Sequence, residues 1–291
     1  MTDNKPKIAL FLGLTLALSA VTWVPQIQAG EIHPLWILAT MWCPAVAAIF
    51  TRLITQRNLR GFGWKPGKVK WLALAYILPV FYALPVYLIA WLGGLGTFDE
   101  GQWIVAPNLT PLTGLAMIAT AGLAASLLSA TGEEIGWRGF FVPELLKVVS
   151  FRRAALLSGA IWAAWHMPLM IFANYHGKGT PLIYSIACFA VMIVGLAVIM
   201  AWITVKSGSF WPAAMLHATH NLFVQGVFDA ATVTDSRSVF WTGEFGVGLA
   251  ISVAIAALLC LRLSPLEANR VHEKGAAPND RPSSVTSEPV A

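Results

Sequence analysis

The sequence predicts an all-α integral membrane protein of about eight transmembrane helices around a polar cavity within the membrane. Three observations carry this. Of 291 residues, 57% are hydrophobic and only 11% charged, against roughly 25% charged in an ordinary soluble domain. The apolar residues fall in runs of about 17 to 25, the length that crosses a bilayer as a helix. Basic residues gather in alternate connections between those runs, as they do in proteins oriented by cytoplasmic Lys and Arg.

The first run, 7–25, follows Lys5 and Lys7. It is longer than the apolar core of a signal peptide, and Gln28-Ala29-Gly30 is a poor cleavage site, so it is read as a retained helix. The second is 35–51. The third, 71–94, contains Pro79 and Pro85, which a membrane helix accommodates as kinks where neighbours satisfy the freed carbonyls. The fourth, 112–131, continues through helix-compatible residues to Lys147, too far for one straight crossing, so a kink or a cytoplasmic extension is expected. The remaining runs are 154–173, 182–205, 209–229 and 245–262. Residues 1–264 are read as one polytopic membrane domain, and 265–291, rich in Pro, Ser, Ala and charge, as a disordered cytoplasmic tail.

With both termini cytoplasmic, Lys178 and Arg237 are the basic residues left outside, and Arg138 lies within the membrane region. Asp99, Glu100, Asp235 and Glu244 then also fall outside. No basic patch interleaved with aromatics is present, so no nucleic-acid partner is expected, and the partner that composition implies is the bilayer. Cys43, Cys188 and Cys260 are far apart, each inside an apolar run, and are read as packing residues rather than a disulfide or metal framework. No internal repeat of the transporter kind is found.

Ionisable groups inside membrane spans are costly unless paired or hydrated, and so mark function. Three clusters stand out. In Thr131-Gly132-Glu133-Glu134-Ile135-Gly136-Trp137-Arg138, Glu134 and Arg138 are four apart on one helical face and can pair, while Glu133 faces elsewhere. In Trp162-Ala163-Ala164-Trp165-His166, Trp162 lies one turn before His166 and can shield a face of its ring. In His217-Ala218-Thr219-His220-Asn221, His217 and Asn221 share a face and His220 lies to one side. At about 1.5 Å per residue from the nearest cytoplasmic basic residue, Glu133, His166 and the third cluster all come out roughly 16 to 22 Å deep. One site at a common level is expected.

A carboxylate, two imidazoles and an amide in a partly dry cavity suit hydrolysis of a carbonyl compound. Glu133 can serve as general base toward water, histidine can relay the proton to a leaving amine, and Asn221 with one histidine can donate to the oxyanion. The set Glu133, His166 and His217 is also a reasonable zinc shell with an open fourth position. A metal-free mechanism is equally compatible. There is no HExxH, GxSxG or Ser/Lys arrangement to support other hydrolytic chemistries.

These residues resemble the CAAX protease and bacteriocin-processing (CPBP, or Abi) family of intramembrane proteases, which includes the type II CAAX prenyl endopeptidases. Glu133 to Gly139 match its EExxxR motif, Trp162 to His166 look like its FxxxH motif with Trp in place of Phe, and His217 to Asn221 match its HxxxN motif. The aromatic exchange at Trp162 is expected to alter pocket shape rather than chemistry. The resemblance implies eight helices, a cavity open toward the cytoplasm, and cleavage near the C-terminus of a membrane-associated peptide or protein, prenylated CAAX-type proteins included. It implies that Glu133 activates water with His166, and that His217 and Asn221 form the oxyanion hole. Glu134 and Arg138 would hold the geometry, with His220 a packing or supporting residue. Short loops and compact spans point to a bacterial inner membrane. Two rivals are a non-enzymatic bacteriocin-immunity or binding protein on the same fold, and a small proton-coupled transporter.

Overall fold

A pair of antiparallel helices, α1 (Lys5–Ala29) and α2 (Pro34–Gln56), opens the chain in the computed structural model, which describes residues 5–264. The expected tail, 265–291, lies outside the described residues. The turn between them is set locally: the His33 imidazole accepts from the Leu35 amide at 3.3 Å, and Pro34 fills the first helical position, where its missing N–H costs nothing. Six more helical segments follow, namely α3 (Val69–Leu92), α4 (Pro111–Leu146), α5 (Phe151–Phe172), α6 (Leu182–Ser207), α7 (Trp211–Asn221, continued by a π-helical Leu222–Asp229) and α8 (Val247–Arg262). Helix thus falls on all eight expected runs.

Among the described residues, six helices are long and apolar enough to span a bilayer, α1 to α6. The chain is an all-α integral membrane protein in which α8, at 16 residues, is a shorter apolar helix. The expected count of eight crossings is therefore matched in helices but in six of them by length and apolarity.

The fourth run is a single 36-residue helix, longer than the expected span, and the sequence signal that should have broken it is absorbed in two π-helical stretches, Ile118–Gly122 and Ile135–Phe141. Such stretches insert a residue into the helical ladder and re-aim the side chains beyond them. Glycines let α4 lie directly on α2. A Cβ on Gly136 would stand 2.4 Å from Pro44 Cβ, and one on Gly132 2.8 Å from the Met41 carbonyl oxygen. Close backbone approach through small residues is how membrane helices gain dispersion contacts where lipid offers no hydrophobic drive.

Helix α6 is the interior member, buried without a break from Gly195 to Ala201, and it is apolar all round, as an interior helix must be. The two ends of the bundle differ. At the end bearing the basic connections, 57–68 folds back over the helices. Phe62 is buried against Phe140 (ring centroids 6.3 Å apart), and Trp64 meets Phe210 edge-on at 5.6 Å. The Arg52 guanidinium sits 5.2 Å from both the Phe62 and Phe140 rings and 3.2 Å from Glu144. At the other end are the connections 30–33, 93–110, 173–181 and 230–246, two of them joined by a short antiparallel pair, β1 (Thr97–Phe98) with β2 (Thr232–Val233). Cys43, Cys188 and Cys260 are free and buried, as expected.

Candidate active site

The first motif delivers two buried carboxylates to different surroundings. Glu134 Oε1 accepts from Arg138 Nη1 at 2.9 Å and from His217 Nδ1 at 2.9 Å, and all three side chains are buried. The expected i, i+4 pair is therefore present and extends across to α7. The Arg138 guanidinium also lies 4.2 Å from the centre of the Trp162 ring, within the range of a cation–π contact. Glu133 points elsewhere, as its offset of about 100° requires. Its Oε2 accepts the Trp162 indole N–H at 2.6 Å, and the residue lines a cavity of about 570 Å³.

That bond corrects one expectation. Trp162 in place of phenylalanine was expected to change only pocket shape, yet its indole supplies a donor to Glu133 that a phenyl ring lacks. Trp162 does stand against the His166 ring, one turn away as expected. The two rings meet edge-on, 5.8 Å apart at 61°, and the ring that lies flattest over His166 is Tyr175, at 26° and 6.5 Å.

The tautomer of His166 follows from its contacts. Nδ1 lies 2.8 Å from the Trp162 carbonyl, which can only accept, so Nδ1 carries the hydrogen and Nε2 is left with its lone pair. His217 is held the same way by the Glu134 carboxylate, leaving its Nε2 for the cavity. Asn221, one turn further along α7, is half-buried and lines the same space, as does His166. All four residues expected to act together, Glu133, His166, His217 and Asn221, thus line one cavity from α4, α5 and α7. A volume of this size is in the range of cavities that enclose drug-sized ligands.

His220 lines the cavity as well, and its partners include a residue the sequence did not single out. Its Nδ1 lies 2.7 Å from the Tyr82 hydroxyl, and its Nε2 lies 3.3 Å from Glu244 Oε1, an ion-pair contact without hydrogen-bond alignment. Glu244, expected among the charges on the outer side, stands in the connection 230–246 with Asp235, but it is only 8% exposed, and Tyr175 donates its hydroxyl to Oε2 at 3.3 Å. Burial is the largest single influence on Glu244 and opposes its ionisation, but His220, Gln225 and His166 together outweigh it and hold the carboxyl below the ordinary range. The only sequence signal was its setting, Trp241-Thr242-Gly243-Glu244-Phe245, where a lone charge sits among aromatics and a glycine with φ +74°.

The zinc reading does not fit these positions. Among the described residues no three His, Cys, Asp or Glu side chains are gathered closely enough to hold a metal ion. The Nδ1 contacts of His166 and His217 and the Trp162 bond to Glu133 Oε2 leave both Nε2 atoms and Glu133 Oε1 available, so it is the spacing of these groups, and not their hydrogen bonding, that fails to make a shell. Glu133, His166 and His217 share a cavity without forming a coordination shell.

Residues 111–223 match the family described as Type II CAAX prenyl endopeptidase Rce1-like. A stretch of 84 residues, 28% of this chain, is 33% identical to the protein named CAAX prenyl protease 2 of Methanococcus maripaludis. The chain covers 31% of that relative's length. All three motifs lie inside the matched segment, and the resemblance they carry is borne out: the part of the chain that builds the site is similar to the type II CAAX prenyl endopeptidases.

Proposed function

We propose that the protein is an intramembrane endopeptidase that hydrolyses a peptide bond near the C-terminus of a membrane-associated protein or peptide, prenylated CAAX-type proteins included. The single observation that supports this most is the convergence of Glu133, His166, His217 and Asn221 on one cavity from three helices. Glu133 and His166 Nε2 are the groups available to take a proton from a water as its oxygen attacks the scissile carbonyl carbon. As that carbon–oxygen bond forms, the negative charge on the carbonyl oxygen is met by the Asn221 amide and by His217, whose Nε2 donates when the ring is doubly protonated. The carbon–nitrogen bond then breaks, the nitrogen receives the proton through His166, and a carboxylate and an amine leave. No metal enters this scheme.

Glu134 and Arg138 hold the geometry. Their partners leave buried atoms unsatisfied, Glu134 Oε2 and Arg138 Nε and Nη2, so loss of either partner strands a charge at a cost of about 3–5 kcal/mol. The location is an inner membrane of a bacterial type, a reading supported by the short connections.

The test is cleavage of a panel of quenched fluorescent C-terminal peptides, lipidated and unlipidated, by detergent-purified protein. Cleavage by wild type and none by a folded Glu133→Gln variant is the expected result. No cleavage of any peptide by folded wild type would overturn the reading in favour of a non-enzymatic immunity or binding protein.

A further inference from the structure

One buried charge facing the cavity has no part in the hydrolysis proposed above. Glu133 and Glu244 are the only carboxylates among the described residues that line the cavity, and no Lys or Arg is among them. The groups that touch Glu244 bring no fixed cation. The Tyr175 hydroxyl donates to Oε2 at 3.3 Å, the Gln225 amide lies beside the carboxylate, and His220 Nε2 stands 3.3 Å from Oε1. A neutral His220 ring satisfies both of its neighbours, accepting the Tyr82 hydroxyl hydrogen at Nδ1, 2.7 Å away, and turning Nε2–H toward Glu244. An ionised carboxylate has about four acceptor sites, so Glu244 keeps unused capacity. A buried charge without a counter-ion is costly until one arrives, and such a position attracts a cation. Its surroundings favour an organic one. Tyr175 and Phe189 both line the cavity with ring centroids 5.9 Å apart, and aromatic faces hold an ammonium or guanidinium within about 6 Å. A metal ion would need further donors, and among the described residues no three His, Cys, Asp or Glu side chains are gathered to hold one.

Tyr175 fixes where this charge stands relative to the reaction. Its ring lies over His166, with centroids 6.5 Å apart at 26°, while its hydroxyl reaches Glu244. Glu244 is therefore one tyrosine length beyond the imidazole proposed to relay the proton, and an extended peptide advances about 3.3 Å per residue. We propose that Glu244, with Tyr175 and Phe189, forms a subsite for a basic side chain of the substrate, Lys or Arg, a few residues from the scissile bond. The lining also includes Ile37, Leu169, Ile193 and Leu196, apolar surface that suits aliphatic or prenyl groups of the same substrate. As a substrate subsite it rests on the peptidase reading; as a cation site it does not.

Peptide binding tests it in the full-length protein in detergent, with Glu133→Gln as the background so that nothing is cleaved and Glu244 is the one lining carboxylate left. Short Ala/Leu peptides carrying an uncharged dye differ at a single position, stepped along the peptide, as Lys, norleucine or Glu, and fluorescence anisotropy gives Kd. At the best position Lys is expected to bind about tenfold tighter than norleucine or better, the size of a hydrogen bond to a charged group, with Glu weakest. Adding Glu244→Gln should bring the Lys peptide to the norleucine value. Equal binding of Lys and norleucine at every position, a Lys preference that survives Glu244→Gln, or no binding of any peptide by folded protein would each overturn the proposal. Should the double variant fail to fold, judged by gel filtration, the order Lys, norleucine, Glu in the background variant decides, and Glu bound as tightly as Lys overturns it. A Lys preference beside a wild type that cleaves none of these peptides would sink the peptidase reading and leave the cation site standing; cleavage without the preference would do the reverse.

Discussion

Glu133 and Glu134 are neighbours in the chain and both are buried, yet they meet opposite surroundings. Around Glu134, a guanidinium and an imidazole converge on one oxygen and the surfaces pack without room for a ligand. Around Glu133, the protein contributes an indole N–H on one side and a cavity on the other. The difference teaches how a membrane protein can keep a carboxylate facing a cavity at depth: the adjacent carboxylate carries the pairing with Arg138 and His217, so the one proposed to react need not be neutralised by a fixed cation. A charge with a fixed partner specifies geometry, and a charge facing a wet cavity is free to exchange protons.

The sharpest way to break the comparison is Glu133→Gln, which should lower peptide cleavage about 10²–10⁴-fold, the range of a lost general base, while leaving thermal unfolding in detergent unchanged. Next is Arg138→Met, which strands Glu134 and should destabilise the fold by about 3–5 kcal/mol in a denaturant titration. A neutral result there would mean that the Glu134 cluster is not structural. Trp162→Phe keeps the ring and removes the N–H to Glu133. A hydrogen bond to a charged group is worth about 1.5–3 kcal/mol, so kcat should fall about ten- to a hundredfold with KM little moved. The smallest effect is expected at Asp235, in the 230–246 connection. Backbone amides of Ser238 and Arg237 hold its carboxyl at about 2, below an ordinary Asp of about 3.9. Its contribution to stability is present above that ordinary value and lost as pH falls through about 2. Asp235→Asn should flatten the acid limb of the stability profile in that window and leave cleavage untouched, since Asp235 does not line the cavity.

Much of the fold was legible because bilayer thickness fixes span length: the eight apolar runs fall on the eight helices within a few residues, save at the end of the fourth. The pair Glu134 and Arg138 was legible because spacing of four is geometric, and the shared cavity because intramembrane polar residues have few reasons to exist. What was not legible depends on phase and on contacts distant in sequence. The π-helical stretch Ile135–Phe141 leaves no compositional mark. The indole bond from Trp162 to Glu133 spans two helices, and the burial of Glu244 depends on a connection folding inward toward His220. The closure of the basic end by Phe62 was hidden within a segment whose charges read as an ordinary cytoplasmic loop, although Gly61-Phe62-Gly63-Trp64 alternates two glycines with two aromatics.

The most direct measurement is a paired one on the neighbouring glutamates: cleavage rate and melting temperature of Glu133→Gln and Glu134→Gln beside wild type, in the same detergent. The division of labour predicts that Glu133→Gln loses the rate and keeps the melting temperature, whereas Glu134→Gln lowers the melting temperature by stranding Arg138. A Glu133→Gln protein that cleaves at the wild-type rate, or a Glu134→Gln protein as stable as wild type, would contradict it.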